Sequence, residues 1–202
     1  MWIAAVVLAA GKSERMGKNK LKQILNGKTL IDHVLDALEQ TKVDQIIVVL
    51  GNKPDGLRSI LESRSVRVET VLNENYERGM TSSFKKGLER AKEADAAFLI
   101  LGDELILEPT FLDNAIDRMQ VKKPLIVCPV HNGKKGHPLL FSRELFQEIL
   151  DLKETEVVRD IVHRYVSRVV TIDSADWTVM DIDTPEDLIK AEKKLQDRAR
   201  AK

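Results

Sequence analysis

Val7-Leu8-Ala9-Ala10-Gly11-Lys12-Ser13-Glu14-Arg15-Met16-Gly17-Lys18-Asn19-Lys20 decides how the chain is read. The apolar run at residues 3–8 has the length of a buried strand. It feeds a loop bounded by Gly11 and Gly17, where a backbone without side chains can approach a ligand and turn its N–H groups toward anionic oxygens. Between Gly11 and Lys28 stand six cations (Lys12, Arg15, Lys18, Lys20, Lys22, Lys28) against the single anion Glu14. Such a loop suits a triphosphate. Its blander counterpart is a basic, solvated strand-to-helix connection.

Two better-known phosphate loops do not fit. A Walker loop places four residues between its glycines and follows the lysine with Ser or Thr; here five residues separate Gly11 from Gly17, and Asn19 follows Lys18. A dinucleotide fingerprint needs Gly-x-Gly-x-x-Gly, and Ala9 and Ala10 stand where a glycine is required.

Working outward, short apolar runs alternate with helical patterns to the end of the chain. Strands are predicted at residues 3–8, 45–50, 67–72, 96–101, 125–130, 138–141, 168–172 and 178–182. Helical spacing joins Leu30, Ile31, Val34, Leu35 and Leu38; then Leu57, Ile60 and Leu61; then Phe111, Leu112, Ala115, Ile116 and Met119; and Leu145, Phe146, Ile149 and Leu150. Thr184 reads as the N-cap of a last helix, with Pro185 in its first position and Asp187 in its third. This alternation predicts an α/β fold, a mostly parallel central sheet with crossover helices on both faces. No linker or repeat divides residues 1–202, so one domain is expected, with a charged tail fraying after about Leu195.

Composition sets bounds on function. The 202 residues carry 32 basic and 32 acidic side chains, so no global field favours nucleic acid or an anionic membrane. No run approaches the ~18 apolar residues of a membrane span, and the N-terminal apolar stretch has no basic flank, which predicts a cytoplasmic protein. The lone Cys128 lies in an apolar run and reads as a buried strand residue. His33, His131, His137 and His163 form no metal-ligand spacing.

Acids mark the other side of a site. In open parallel sheets, ligands bind beyond the carboxyl ends of the strands, so Gly102-Asp103-Glu104 shares a crevice with the first loop. Asp103 is a candidate ligand for Mg²⁺, a hard cation that prefers oxygen donors and phosphate, or else a turn aspartate. Asp181 and Asp183 flank Ile182, and in extended chain they point to one side; Asp183 alternatively serves the turn into the last helix. Charge neutralisation and alignment of this kind suit transfer at a nucleotide phosphorus.

These residues together resemble the molybdenum cofactor nucleotidyltransferases and their sugar-nucleotide relatives. The resemblance is carried by Leu8-Ala9-Ala10-Gly11-Lys12-Ser13-Glu14-Arg15-Met16-Gly17 with Lys20, by residues 26–30, by Gly79-Met80-Thr81-Ser82-Ser83-Phe84, by Gly102-Asp103 and by residues 181–188. Gly136-His137-Pro138-Leu139-Leu140-Phe141 is most similar to the cytidylyl branch. The resemblance implies a Rossmann-like three-layer sandwich of the GT-A-like nucleotidyltransferase type. It implies transfer of CMP from CTP, or of another nucleotide from its triphosphate, to a molybdopterin-type phosphate, with Mg²⁺ as cofactor and a molybdoenzyme as eventual recipient. Carried onto this chain, Arg15 and Lys20 are catalytic, and Leu8, Ala9, Ala10, Gly11, Gly79, Ser82 and Ser83 bind the nucleotide. Asp103, Asp183 and Asp181 hold the metal, while Gly136 and His137 meet the acceptor. Three departures stand out: Glu104-Leu105 follows Gly102-Asp103 where a polar residue and proline are usual, Thr29 replaces a frequent proline, and Asn26 a frequent glycine. Glu104 either adds a metal ligand or repels an anionic acceptor. Two alternatives remain, a sugar-phosphate or alcohol-phosphate nucleotidyltransferase and a non-catalytic protein that holds cofactor for a molybdoenzyme.

Overall fold

The computed structural model describes residues 1–11, 20–51, 56–64, 68–180 and 184–200. Arg15, Asp181 and Asp183 therefore lie outside the described residues, as do the remaining loop cations Lys12 and Lys18.

One mostly parallel sheet organises the molecule. It contains β1 (Ile3–Ala9), β4 (Gln45–Leu50), β5 (Val68–Leu72), β6 (Ala96–Leu101), β7 (Ile126–His131), β8 (Lys134–Lys135), β9 (Leu139–Ser142) and β10 (Val169–Asp173). Their order is β10-β7-β9-β6-β1-β4-β5, with β8 on β7. β1 pairs in parallel with β4 and β6, β4 with β5, and β10 with β7. β9 runs antiparallel to both β6 and β7. A small ribbon, β2 (Ile24–Leu25) with β3 (Lys28–Thr29), precedes the first helix.

The strands are continuous apolar runs because both faces are covered. Along β1, Ile3, Ala5, Val7 and Ala9 enter one core with α1 (Leu30–Leu38), α2 (Leu57–Glu62), α4 (Pro109–Lys122) and Ala191 of α7 (Pro185–Arg200). Ala4 and Val6 enter the other, with α3 (Met80–Leu88), α5 (Phe146–Leu150) and α6 (Val158–Arg164). Contact on that second face is close: a Cβ on Gly87 of α3 would lie 2.1 Å from Val6 Cγ1, so only glycine lets α3 settle onto β1. No helix among the described residues is long and apolar enough to cross a membrane.

The sequence-predicted strand at 178–182 requires correction over 178–180, its last two residues lying outside the described ones. Asp176–Val179 forms a 3-10 turn instead, with Trp177 and Thr178 buried, and the Thr178 hydroxyl donates to the Ala175 carbonyl at 3.1 Å. Burial of Trp177 against Phe111, edge to face at 5.6 Å, outweighs the β-propensity of that stretch. α7 is helical from Pro185 to Arg200. Its start is as predicted, since the Asp187 N–H donates to Thr184 Oγ1 at 3.2 Å and the Thr184 N–H to Asp187 Oδ2 at 3.0 Å, a reciprocal cap.

Away from the crevice, Arg64 ties α1 to the chain after α2. Its guanidinium donates to Asp32 at 2.6 Å, Asp36 at 2.5 Å and Glu39 at 2.6 Å, while its side chain is only 12% exposed. Partial burial pushes the Asp36 carboxyl up, but hydrogen bonds from Arg64 and Lys28 outweigh that and hold it below its usual value. Arg64→Met leaves three acids facing one another and is expected to destabilise the fold by about 2 kcal/mol at neutral pH. A depressed carboxyl stabilises above its unfolded value of 3.8 and loses that contribution as pH falls through the folded value. The gap in urea stability between the two proteins should therefore narrow as pH falls below 3.8 and on through the lowered folded value; a gap that is constant with pH would deny Arg64 this role.

Candidate active site

The strand order places a switch point between β1 and β6. The chain leaves β1 toward β4 and β5, then returns to add β6 on the opposite side of β1. The exits of β1 and β6 therefore lie side by side at the carboxyl rim, the crevice where open α/β sheets bind ligands.

Lys20 and Asp103 meet across this crevice. Lys20 opens a 3-10 turn, Lys20–Lys22, whose buried Leu21 is the anchor. A Cβ on Gly102 would lie 3.2 Å from Leu21 Cδ1 and 2.9 Å from the Leu8 carbonyl oxygen, so Leu21 packs where Gly102 leaves room at the end of β6. The Gly102 N–H also donates to the Leu8 carbonyl at 3.0 Å, which locks the exit of β6 onto β1. With both backbones fixed, the Lys20 ammonium forms a salt bridge with Asp103 Oδ2, and the two side chains keep 17% and 21% of their exposure. The pair is thus reachable from the crevice, and the structure brings together two residues that the sequence singled out from separate motifs.

Glu104, the next residue, departs from the family pattern and reads in the sequence as a further metal ligand or a repellent of an anionic acceptor; its setting is unusual. The Glu104 N–H donates to the Leu101 carbonyl at 3.1 Å and the Leu105 N–H to the Asp103 carbonyl at 2.8 Å, a tight turn that leads into buried Leu105, Ile106 and Leu107. Both Glu104 carboxylate oxygens are shielded from solvent and make no hydrogen bond. Burial, reinforced by the neighbouring Asp103 charge and opposed by the Leu101 backbone, pushes its carboxyl well above the usual range.

The β1 exit forms the floor. Ala9 and Ala10 are buried and Gly11 is exposed, with nothing within 4 Å of a Cβ built on Gly11. Gly51 at the end of β4 closes against it, since a Cβ there would lie 3.0 Å from the Ala10 carbonyl oxygen. On the far side Gly79 holds φ +91°, a left-handed conformation that favours glycine, and caps α3 without a side-chain bond to the helix's first N–H groups.

Ser82 and Ser83 are placed beside this helix start, with their hydroxyls engaged. Asn73 Nδ2 donates to Ser82 Oγ and to Ser83 Oγ, each at 3.0 Å, and Ser82 Oγ donates to the carbonyls of Gly79 at 2.8 Å and Asn75 at 3.0 Å. Ser83 and Asn73 are buried. The sequence reading missed Asn73, which fastens the end of β5 to the start of α3; the polar residue closing the run Val71-Leu72 was its only signal.

Gly136 and His137 reach the same rim from a different strand. Leu99 pairs with Leu139, so the start of antiparallel β9 lies beside the end of β6. The Gly136 N–H donates to the Pro129 carbonyl at 3.1 Å and the His137 N–H to the Thr178 carbonyl at 2.9 Å. The remaining candidates read as structural: His33 Nε2 lies 2.9 Å from the Leu25 carbonyl and His131 Nδ1 2.8 Å from that of Ser174. Burial pushes the Cys128 thiol up to about 11, far from the range of a reactive thiolate.

Comparison with known proteins identifies the family. Residues 5–169 match the MobA-like NTP transferase domain. The chain belongs to that family. It is 27% identical over 194 residues to the molybdenum cofactor cytidylyltransferase of Escherichia coli (strain K12), covering 95% of this chain and 96% of that protein. It is 32% identical over 163 residues to the bifunctional protein GlmU of Francisella tularensis subsp. holarctica, covering 80% of this chain but only 35% of that longer protein. Among solved structures, Rv0371c of Mycobacterium tuberculosis H37Rv superposes with a TM-score of 0.80 at 30% identity over 96% of this chain and 98% of its own. A manganese complex of Rv0371c superposes at 0.76 and 27% identity. The chain is a nucleotidyltransferase of this family, and its fold is the one the family resemblance implies.

Proposed function

We propose that this chain moves CMP from CTP to the terminal phosphate of a molybdopterin-type acceptor, in the cytoplasm and with Mg²⁺, for delivery to a molybdoenzyme. The observation that carries nucleotidyl transfer is the Lys20–Asp103 pair spanning the crevice between β1 and β6. Preference for this acceptor rests on the near full-length match to the molybdenum cofactor cytidylyltransferase, against a match to one third of GlmU.

The donor set fits a hard divalent cation: Asp103 offers an accessible carboxylate, and Glu104 beside it carries two buried oxygens that lack partners. Asp183 and Asp181 are the proposed further ligands. When bound, Mg²⁺ supplies charge neutralisation and orientation for the α-phosphate. Leu8, Ala9, Ala10 and Gly11 give the backbone floor for base and phosphates, with Gly79, Ser82 and Ser83 as the opposite wall. Lys20, with Arg15, binds the triphosphate and balances the negative charge that grows on the departing pyrophosphate. An acceptor phosphate oxygen, oriented from the Gly136–His137 side, forms the new bond to the α-phosphorus as the α–β bridging bond breaks. That oxygen is already anionic near pH 7, so the reaction needs no general base.

Pyrophosphate release measured for each nucleoside triphosphate against molybdopterin, sugar phosphates and alcohol phosphates tests the proposal. CTP with molybdopterin is expected to give the fastest turnover. Turnover confined to a sugar phosphate would move the chain to the sugar-nucleotide branch, and none with any pair would leave a cofactor-holding protein.

A further inference from the structure

A cleft of about 470 Å³, the size of a small-molecule site, adjoins the proposed nucleotide wall. One bank is a half-buried face of α3, with Thr81, Ser82 and Lys85; the other is the loop between α5 and α6, from Leu152 to Val157. Two ties join the banks: the Val158 N–H donates to Thr81 Oγ1 at 3.2 Å, and Arg78 forms an ion pair with Glu154. Most other charges around the cleft are cancelled in place, Lys86 by Glu89 at 2.9 Å and Glu156 by Arg164 at 3.5 Å. Lys85 is different. Its ammonium donates to the Leu152 carbonyl at 2.8 Å, and among the described residues no acid pairs with it or with Lys153. A carbonyl dipole does not neutralise an ammonium, so two cations stand in the cleft against the carboxylate of Glu74. Leu72 and Val157, 42% and 48% exposed, add apolar surface beside them.

We propose that this cleft is a second ligand site, which takes a small organic anion with an apolar body, a phosphate ester or a carboxylate, anchored on Lys85 with Lys153 beside it. The anion supplies the charge that the Leu152 carbonyl cannot, and its body covers Leu72 and Val157. The site also touches the nucleotide wall. Asn73 Nδ2 donates to the hydroxyl of Ser82, which lines the cleft, and to that of Ser83, which is buried behind it. An occupant held against Ser82 therefore bears on the same amide that positions Ser83, and through it on nucleotide affinity. This link rests on the nucleotidyltransferase reading; the site itself does not.

Phenyl phosphate, benzoate and uncharged benzyl alcohol are titrated into isotope-labelled, nucleotide-free protein, and amide resonances are followed. At least one anion is expected to shift residues 73–85 and 152–158 saturably, the tighter of the two telling phosphate ester from carboxylate, while benzyl alcohol does not. Lys85→Gln keeps a donor for the Leu152 carbonyl but drops the charge, and is expected to weaken anion binding about 10-fold, whereas Lys85→Arg retains it. Lys153→Gln, on the exposed loop, is expected to weaken it about 3-fold. Thermal unfolding confirms that each variant is folded. No shifts at 152–158 with either anion, benzyl alcohol binding as well as the anions, or equal anion affinity in wild type, Lys85→Gln and Lys153→Gln would overturn the site. With the tighter anion saturating, the Kd of CTP is expected to change about 5-fold in wild type and not in Lys85→Gln. An unchanged Kd, or an equal change in Lys85→Gln as a competitor in the crevice would give, would overturn the link through Asn73. CTP that fails to bind with no anion present would instead overturn the nucleotidyltransferase reading, and the link with it, while the amide shifts still decide the site.

Discussion

Asp103→Asn is expected to lower kcat by about 10³-fold with saturating Mg²⁺, the size of effect seen when one charge-stabilising group leaves a transition state. The substitution keeps the shape of the side chain and removes its charge, so metal loses an anionic donor while the turn at residues 101–105 stays intact. Stability should change little, because the pair with Lys20 is partly exposed and such pairs contribute about 0–1 kcal/mol. Combining it with Lys20→Ala should cost less than the product of the single losses, since the two residues are salt-bridged and are proposed to serve one charge-neutralising unit. The measurement is steady-state pyrophosphate release alongside thermal unfolding. A rate equal to wild type at saturating Mg²⁺ would remove Asp103 from the chemistry.

The second large effect is structural. A Cβ on Gly136 would stand 1.9 Å from the Thr178 carbonyl oxygen and 2.6 Å from its carbon, both backbone atoms of the 3-10 turn. Neither can swing aside as a long side chain does. Gly136→Ala must therefore push the hairpin and the turn apart, straining the His137-to-Thr178 and Gly136-to-Pro129 hydrogen bonds. A loss of about 3 kcal/mol follows from overpacking with weakened backbone pairing. Urea unfolding reads the loss directly. Turnover should fall with the acceptor's KM rising more than that of CTP, because the displaced segment is on the acceptor side. Wild-type stability in this variant would contradict the packing of residue 136 on the turn.

What the sequence disclosed was governed by how local each cause is. Strands at 45–50 and 96–101 coincide with the observed β4 and β6, because buried parallel strands are unbroken apolar runs with clear ends. The run after Trp177 misled because its composition suits a strand, whereas the decisive contacts of Trp177 with Phe111 and of Thr178 with His137 come from elements distant in sequence. Lys20 and Asp103 were visible separately, as a loop cation and a strand-end acid; their pairing depends on Leu21 seating against Gly102. Asn73 was hidden, since its partners Ser82 and Ser83 come from α3. Burial of Glu104 was hardest to foresee, because acids are almost never fully enclosed without a partner.

On the proposed reading, the reversed direction of β9 separates two specificities. A parallel strand offers the rim its exit loop, but β9, running the other way, offers its entry hairpin, residues 132–138. The proposed donor side is built from the exits of β1, β4, β5 and β6, and the proposed acceptor segment lies ahead of β9. This hairpin is therefore a natural cassette: exchanging it between relatives would retune what is modified while leaving what is donated intact. On the proposed reading, one antiparallel strand would let a lineage acquire new acceptors without rebuilding its grip on the nucleotide.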